Sequence, residues 1–208
     1  MKPLKTLIMA SLLMGLSACS DTSPVSRNEP LATQLVEPAQ VASFTVEDVR
    51  ISVPKTLVVS EANGYFPNAD IVWHGDAYGA RHEQVEAIFE EAMTRGVQAL
   101  HGNRSIYVDI EVKRFHSLTE RARYTTGGVH SIKFTMALRD VQTNALISQP
   151  RLIKADLKAF GGNKAIANDH RGLTQKVRIL DHLAVLIQQE VTREQTAAAR
   201  PLPQVAAE

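Results

Sequence analysis

Ile106-Tyr-Val-Asp-Ile-Glu-Val-Lys-Arg-Phe115 is the stretch that decides the fold. Ile106, Val108, Ile110 and Val112 alternate with Tyr107, Asp109, Glu111 and Lys113, so a strand here has one apolar and one charged face. Val129 to Asp140 repeats the pattern, with Ile132, Phe134, Met136 and Leu138 inside and Lys133, Thr135 and Arg139 outside. The polar connection Ser117 to Gly128 separates the two strands. Gln142-Thr143-Asn144 is a tight turn, so its flanking strands pair antiparallel. The next strand, Leu146 to Leu157, contains Pro150, which places it at an edge or on a bulge. Outward Asp109 and Glu111 are expected to face Lys133 and Arg139 across the strand pair.

Upstream, Phe44 to Val53 alternates in the same way and stops at Pro54. Ser60 to Tyr78 reads as one long loop. It holds Tyr65, Phe66, Trp73 and Tyr78, and loops of this length in compact domains are usually functional or disordered. Ala80 to Leu100 keeps an apolar stripe through Val85, Ile88, Phe89, Ala92, Met93 and Val97. Asp76 or Gly79 is expected to cap that helix, and Gly102 to stop it. Gly161-Gly162 opens a helix expected to run unbroken to about Arg193. Its seam comprises Ile166, His170, Leu173, Val177, Leu180, Ala184, Ile187 and Val191. The expected fold class is α+β in the order β-α-β-β-β-α. Two helices pack on one face of a four-stranded mixed sheet. That domain spans 44–195, and residues 196–208 read as a disordered tail.

The N-terminus carries an address. Lys2 and Lys5 precede an uncharged run from Thr6 to Leu16, which has the form of a secretory signal peptide. The run is shorter than the roughly 20 apolar residues that span a bilayer. Leu16-Ser17-Ala18-Cys19 at its end resembles the bacterial lipobox. That resemblance implies cleavage after residue 18 and acylation of Cys19, with the membrane as a partner through the acyl chains. Two or three chains hold a protein that one chain holds only marginally. Ser20 after the cysteine favours the outer membrane, with the domain facing the periplasm. Residues 19–43 then form an acylated cysteine and a flexible tether spanning roughly 25–30 Å.

Cys19 is the chain's single cysteine, so an acylated product has no thiol for a disulfide or a metal. Without Lys2 and Lys5, 21 basic residues stand against 22 acidic ones. This balance argues against a nucleic-acid partner, whose footprint is basic.

Ala69-Asp-Ile-Val-Trp-His-Gly-Asp76, Arg114 to Tyr124 with Gly127-Gly-Val-His130, and Thr174-Gln-Lys-Val-Arg-Ile179 together resemble a family of uncharacterised proteobacterial lipoproteins. The expected topology is also similar to the lipoprotein that plugs the lipopolysaccharide translocon and to the auxiliary lipoproteins of lipid-handling ABC transporters. The resemblance implies no activity and no catalytic residues.

The candidate contact residues for a partner in the cell envelope are Tyr65, Phe66, Trp73, His74, Arg121 and Arg123. Trp73 is alternatively a packing residue, with Asp76 capping the helix. Arg114, His116, Arg121 and Arg123 are alternatively a solvated turn paired with Glu120, and the guanidinium forks of the three arginines suit phosphate. His74, Asp76, His82 and Glu83 offer metal-ligand chemistry but lack His-Glu-x-x-His spacing. No metal or cofactor is expected. His170 reads as a core histidine. A non-enzymatic binding protein is the leading expectation; a lipid or small-molecule module with a pocket between helices and sheet, and a metal-dependent hydrolase, are the alternatives.

Overall fold

A computed structural model describes residues 43–198. The signal peptide, Cys19, the tether up to residue 42 and the tail beyond residue 198 lie outside the described residues.

The two alternating stretches form the centre of the sheet, as β3 (Arg104–His116) and β4 (Gly128–Asp140). They pair antiparallel from Ile106 opposite Asp140 to His116 opposite Ser131. β1 (Phe44–Ser52) lies parallel to β3, and β5 (Leu146–Lys154) lies antiparallel to β4, giving the mixed order β1-β3-β4-β5. β5 is an edge strand, consistent with Pro150, which cannot donate to a ladder. Two short strands extend this sheet. β2 (Ile71–Val72), inside the stretch read as loop, pairs parallel with the end of β3. β6 (Leu157–Ala159) pairs with the start of β4.

The inner face is covered by α1 (Arg81–Val97) and α4 (Gln175–Ala198), which pack on each other. They approach tightly at Gly96, where a Cβ would stand 2.3 Å from the Ala184 carbonyl oxygen and 2.3 Å from Ile187 Cγ2. Beneath them Trp73, Phe115, Phe89 and Phe134 form a chain of edge-to-face rings with centroids 5.5, 6.2 and 5.5 Å apart. All four rings are fully buried. Such pairs add about 0.5–1.5 kcal/mol each beyond the area they bury.

Several expectations are corrected. The long C-terminal helix is two helices, α3 (Gly162–Asp169) and α4. Gly172, at φ +76°, takes the left-handed turn that closes α3, and the Thr174 hydroxyl then accepts from Val177 N to start α4. The seam therefore holds only from Leu180 onward: Ile166, His170 and Leu173 are exposed. His170 is not a core histidine. α4 continues to Ala198, past the expected tail boundary at 196. A short helix, α2 (Glu120–Arg123), interrupts the polar connection after β3, with Thr119 accepting from Ala122 N. Neither Asp76 nor Gly79 caps α1, whose N-cap is Ala80 with no side-chain bond. α1 ends before Gly102, which instead lets the chain pass close to the Ser43 backbone.

The strands give the domain two ends. At the base, Phe44 lies opposite Arg104, and Arg104 pairs with Asp140 at 3.0 Å, beside the 140–145 turn. At the tip lie the long 53–80 connection, α2, β6, α3 and the first turns of α1 and α4. With 13 residues in β3, base and tip are about 40 Å apart.

Candidate functional site

Among the sequence-derived candidates, the structure brings Tyr65, His74, Arg121 and Arg123 together at the tip. It buries two of the candidates, Trp73 and Arg123. Trp73 is fully buried, and its indole Nε1 donates to Asp76 Oδ2 at 2.8 Å. It is thus not a contact residue but the post on which the tip loop stands. Gly75 permits this, because a Cβ there would meet the Trp73 ring at 2.2 Å. Asp76 also accepts from Lys176 Nζ at 2.8 Å, tying the loop to α4. Burial pushes the Asp76 carboxyl up, but the hydrogen bonds from Lys176 and Trp73 outweigh it and hold the group below the usual range.

Arg81 fixes the other side of the loop. Buried at the start of α1, it donates through Nε and Nη2 to both Glu61 carboxylate oxygens, at 2.7 and 2.9 Å. The same guanidinium reaches the Asp76 and Ala77 carbonyls. This two-pronged bond lowers the Glu61 carboxyl and raises the Arg81 guanidinium, so both stay charged. α2 is attached to the same loop: Thr119 Oγ1 donates to Gly64 O at 2.7 Å, and Arg121 N donates to Asn63 Oδ1 at 2.8 Å.

On this frame the exposed side chains stand. Phe66 is 92% exposed and Tyr78 85% exposed; Tyr65 and Tyr124 are nearer half. The Arg121 guanidinium sits 4.7 Å from the Tyr65 ring centroid. Arg123 is buried and paired with Asp169 of α3, not with Glu120. Arg114 donates to Ala69 O and His116 Nε2 lies 2.9 Å from Pro67 O, so both brace the loop after residue 66. Two depressions adjoin here, both lined by His74 and Glu120. One, of about 450 Å³, lies toward Tyr78 and Arg81; the other, of about 270 Å³, lies toward Tyr124, Arg123 and Gln175.

Sequence reasoning missed the buried polar group under the tip. Ser117 Oγ lies 2.8 Å from His130 Nδ1 and donates to Gln175 Oε1 at 3.2 Å. His130 Nε2 has no hydrogen-bond partner among the described residues. Burial, with repulsion from Arg178, Arg123 and His182, lowers His130 to about 3, so the ring is neutral at physiological pH. The signal was in the alternation: His130 shares parity with Ile132 and Phe134 and so points inward.

The metal-ligand candidates are not brought together. Asp76 serves Trp73 and Lys176, His82 Nε2 lies 3.1 Å from Leu57 O, and Glu83 faces Lys55 at 3.9 Å. Among the described residues no group of three or more His, Cys, Asp or Glu is placed to hold a metal ion. The core between helices and sheet is occupied by the aromatic chain and by Met93, Ile88 and Ile187, and a depression of about 220 Å³ opens between β1 and the end of α1.

Fold and tip together define a small α+β domain: a mixed sheet with two covering helices and one elaborated end. The chain belongs to a family of unknown function, DUF6778, whose model matches residues 44–207. No curated protein matches it. A similar solved structure is protein XCC0632 from Xanthomonas campestris, of family DUF330. It has 11% identity and a TM-score of 0.43, over 76% of this chain and 89% of that one. An uncharacterized protein of known structure is similar at 14% identity and a TM-score of 0.30, over 76% of this chain and 90% of the other.

Proposed function

We propose that this protein is a non-enzymatic lipoprotein of the cell envelope, held to a membrane through acylated Cys19 and engaging a protein partner with its tip. The observation that carries the reading is the placement of the two ends. The Leu16-Ser-Ala-Cys19 motif lies upstream of Phe44, and Phe44 begins its strand at the base. Phe66, Tyr78, Tyr65 and Arg121 stand at the opposite end. The chain enters the domain at the base, which leaves the tip open to a partner. Exposed tyrosine, phenylalanine and arginine on a rigid frame have the composition of a protein interface centre.

The test begins with the anchor. In its host, the protein should fractionate with membranes, and its mature N-terminal peptide should carry the mass of a diacylglycerol and a third acyl chain on Cys19. The Cys19→Ser chain should lose both properties. An unmodified Cys19 on a protein that leaves the membrane with the soluble fraction would end this reading.

A further inference from the structure

Most arginines of this domain are matched to carboxylates. Arg50 and Arg139 share Asp109, Arg104 takes Asp140, and Arg151 takes Glu190 and Glu194. Among the described residues eight Lys and Arg and eight Asp and Glu have no opposite charge within 4.0 Å: Arg114, Arg121, Asp70 and Glu120 lie toward the tip, Lys133 in β4 and Asp156 between β5 and β6, and the other ten fall in two groups. Lys154 in β5, Lys158 in β6, Lys164 in α3, Arg171 and Arg178 have no carboxylate within 4.0 Å among the described residues. The same holds for the acids Glu47 and Asp48 in β1 and Glu86, Glu90 and Glu91 in α1.

β1 and β5 are the two ends of the strand order. α1 lies against β1, and β6 continues along β4 where β5 leaves it. Five unmatched acids therefore lie on the β1–α1 side of the domain and five unmatched cations on the β5–β6–α3 side, where Asp156 is an unmatched acid among them. The basic edge is ordered. Arg178 and Lys164 stand 4.0 and 4.2 Å from the centroid of one ring, Phe160, and Arg178 Nη2 donates to Lys158 O at 2.7 Å. α3 begins there with no acid in its first turn and no side-chain cap, which adds a positive helix end. The local potential is felt inside: burial first, then Arg123, lowers Arg178, and both arginines bear on His130.

We infer that the two edges are halves of one contact: the acidic β1–α1 edge of one copy docks on the basic β5–β6–α3 edge of the next. The occupant is a second copy because this chain itself carries a surface of opposite sign. The contact is head to tail, so copies close into a ring or extend as a row. Exposed pairs contribute little each, and such complementarity acts mainly on orientation and encounter. Copies anchored at Cys19 would share one membrane surface, where tethering raises the effective concentration. That gain rests on the proposed membrane anchoring; the contact itself does not.

The experiment uses the full chain in non-ionic detergent, with two labelled populations mixed and energy transfer measured at low and high ionic strength. Wild type should show concentration-dependent transfer that weakens at least about tenfold in affinity at high salt. Lys158→Glu with Lys164→Glu should abolish it, as should Glu90→Lys with Glu91→Lys. Mixing the two variants should restore it, because each then offers what the other lacks. Wild type that stays monomeric at low salt, or a mixture that fails to regain transfer, overturns the inference. Loss of membrane attachment in the anchor test leaves this result unaffected.

Discussion

Base and tip are built from the same strands but obey different rules. The base is closed by short backbone connections and surface ion pairs. Arg104 with Asp140, and the Asp140 side chain accepting from Gln142 N and Thr143 N, suffice to turn β4 into β5. The tip is closed by long-range bonds from buried or half-buried polar groups. Trp73 to Asp76 to Lys176, Arg81 to Glu61, and Ser117 with His130 and Gln175 join segments up to 100 residues apart. A hydrogen bond leaving an unpaired buried group is costly to break, whereas an exposed ion pair is not. The difference teaches that the tip's shape is specified by interior chemistry, and that its exposed aromatics are displayed by a stiff support.

Four substitutions or conditions break or sharpen that contrast. Trp73→Ala removes the post and a link of the aromatic chain and should destabilise the domain by about 3–5 kcal/mol in denaturant melts. Acid comes next. Unfolded histidine binds a proton near 6.5, while His130 in the fold does so only near 3, so the unfolded state gains protons first as pH falls. The stability this group contributes is fully present above about 6.5. It should fall by about 2–3 kcal/mol between pH 6 and pH 4. In His130→Leu that part of the pH slope should vanish, whatever the variant's stability at neutral pH. Gly96→Ala tests the α1–α4 crossing. The added methyl meets the Ala184 carbonyl, and overpacking should cost about 1–3 kcal/mol, partly offset by alanine's helix preference. The smallest effect belongs to the open sheet face: Asp109→Asn weakens the ladder from Arg50 to Arg139 and should cost under about 1 kcal/mol. A large loss there with a small one at Trp73 would invert the comparison.

The sheet centre was legible because alternation at Ile106–Val112 and Ile132–Leu138 has one physical solution, and the Asp109–Arg139 pair followed from it. Its companion failed for a definable reason. A register shift between Val112 and Arg114 puts Lys133 opposite Arg114, and Glu111 turns to Lys113. The long C-terminal helix was misread because a 4-3-4 spacing was followed across Gly172 and Thr174, two local signals that outweigh periodicity. Trp73 is legible in the sequence both as a contact residue and as a packing residue, and the structure selects the second. Its burial depends on Asp76 and Gly75 folding the loop under itself, which spacing does not reveal. His130 was recoverable from parity, but its bonds to Ser117 and to Gln175 join distant segments. Of the site, the aromatic loop was visible in composition; its stiffness and the segregation of charge across the sheet were not.

Photo-crosslinking in intact host cells tests the central claim most directly, with one probe at Phe66 on the tip and another at Gln142 on the base turn. The account predicts a discrete protein adduct from Phe66 and none of matching size from Gln142. Equal adducts from both positions, or none from Phe66, would contradict it.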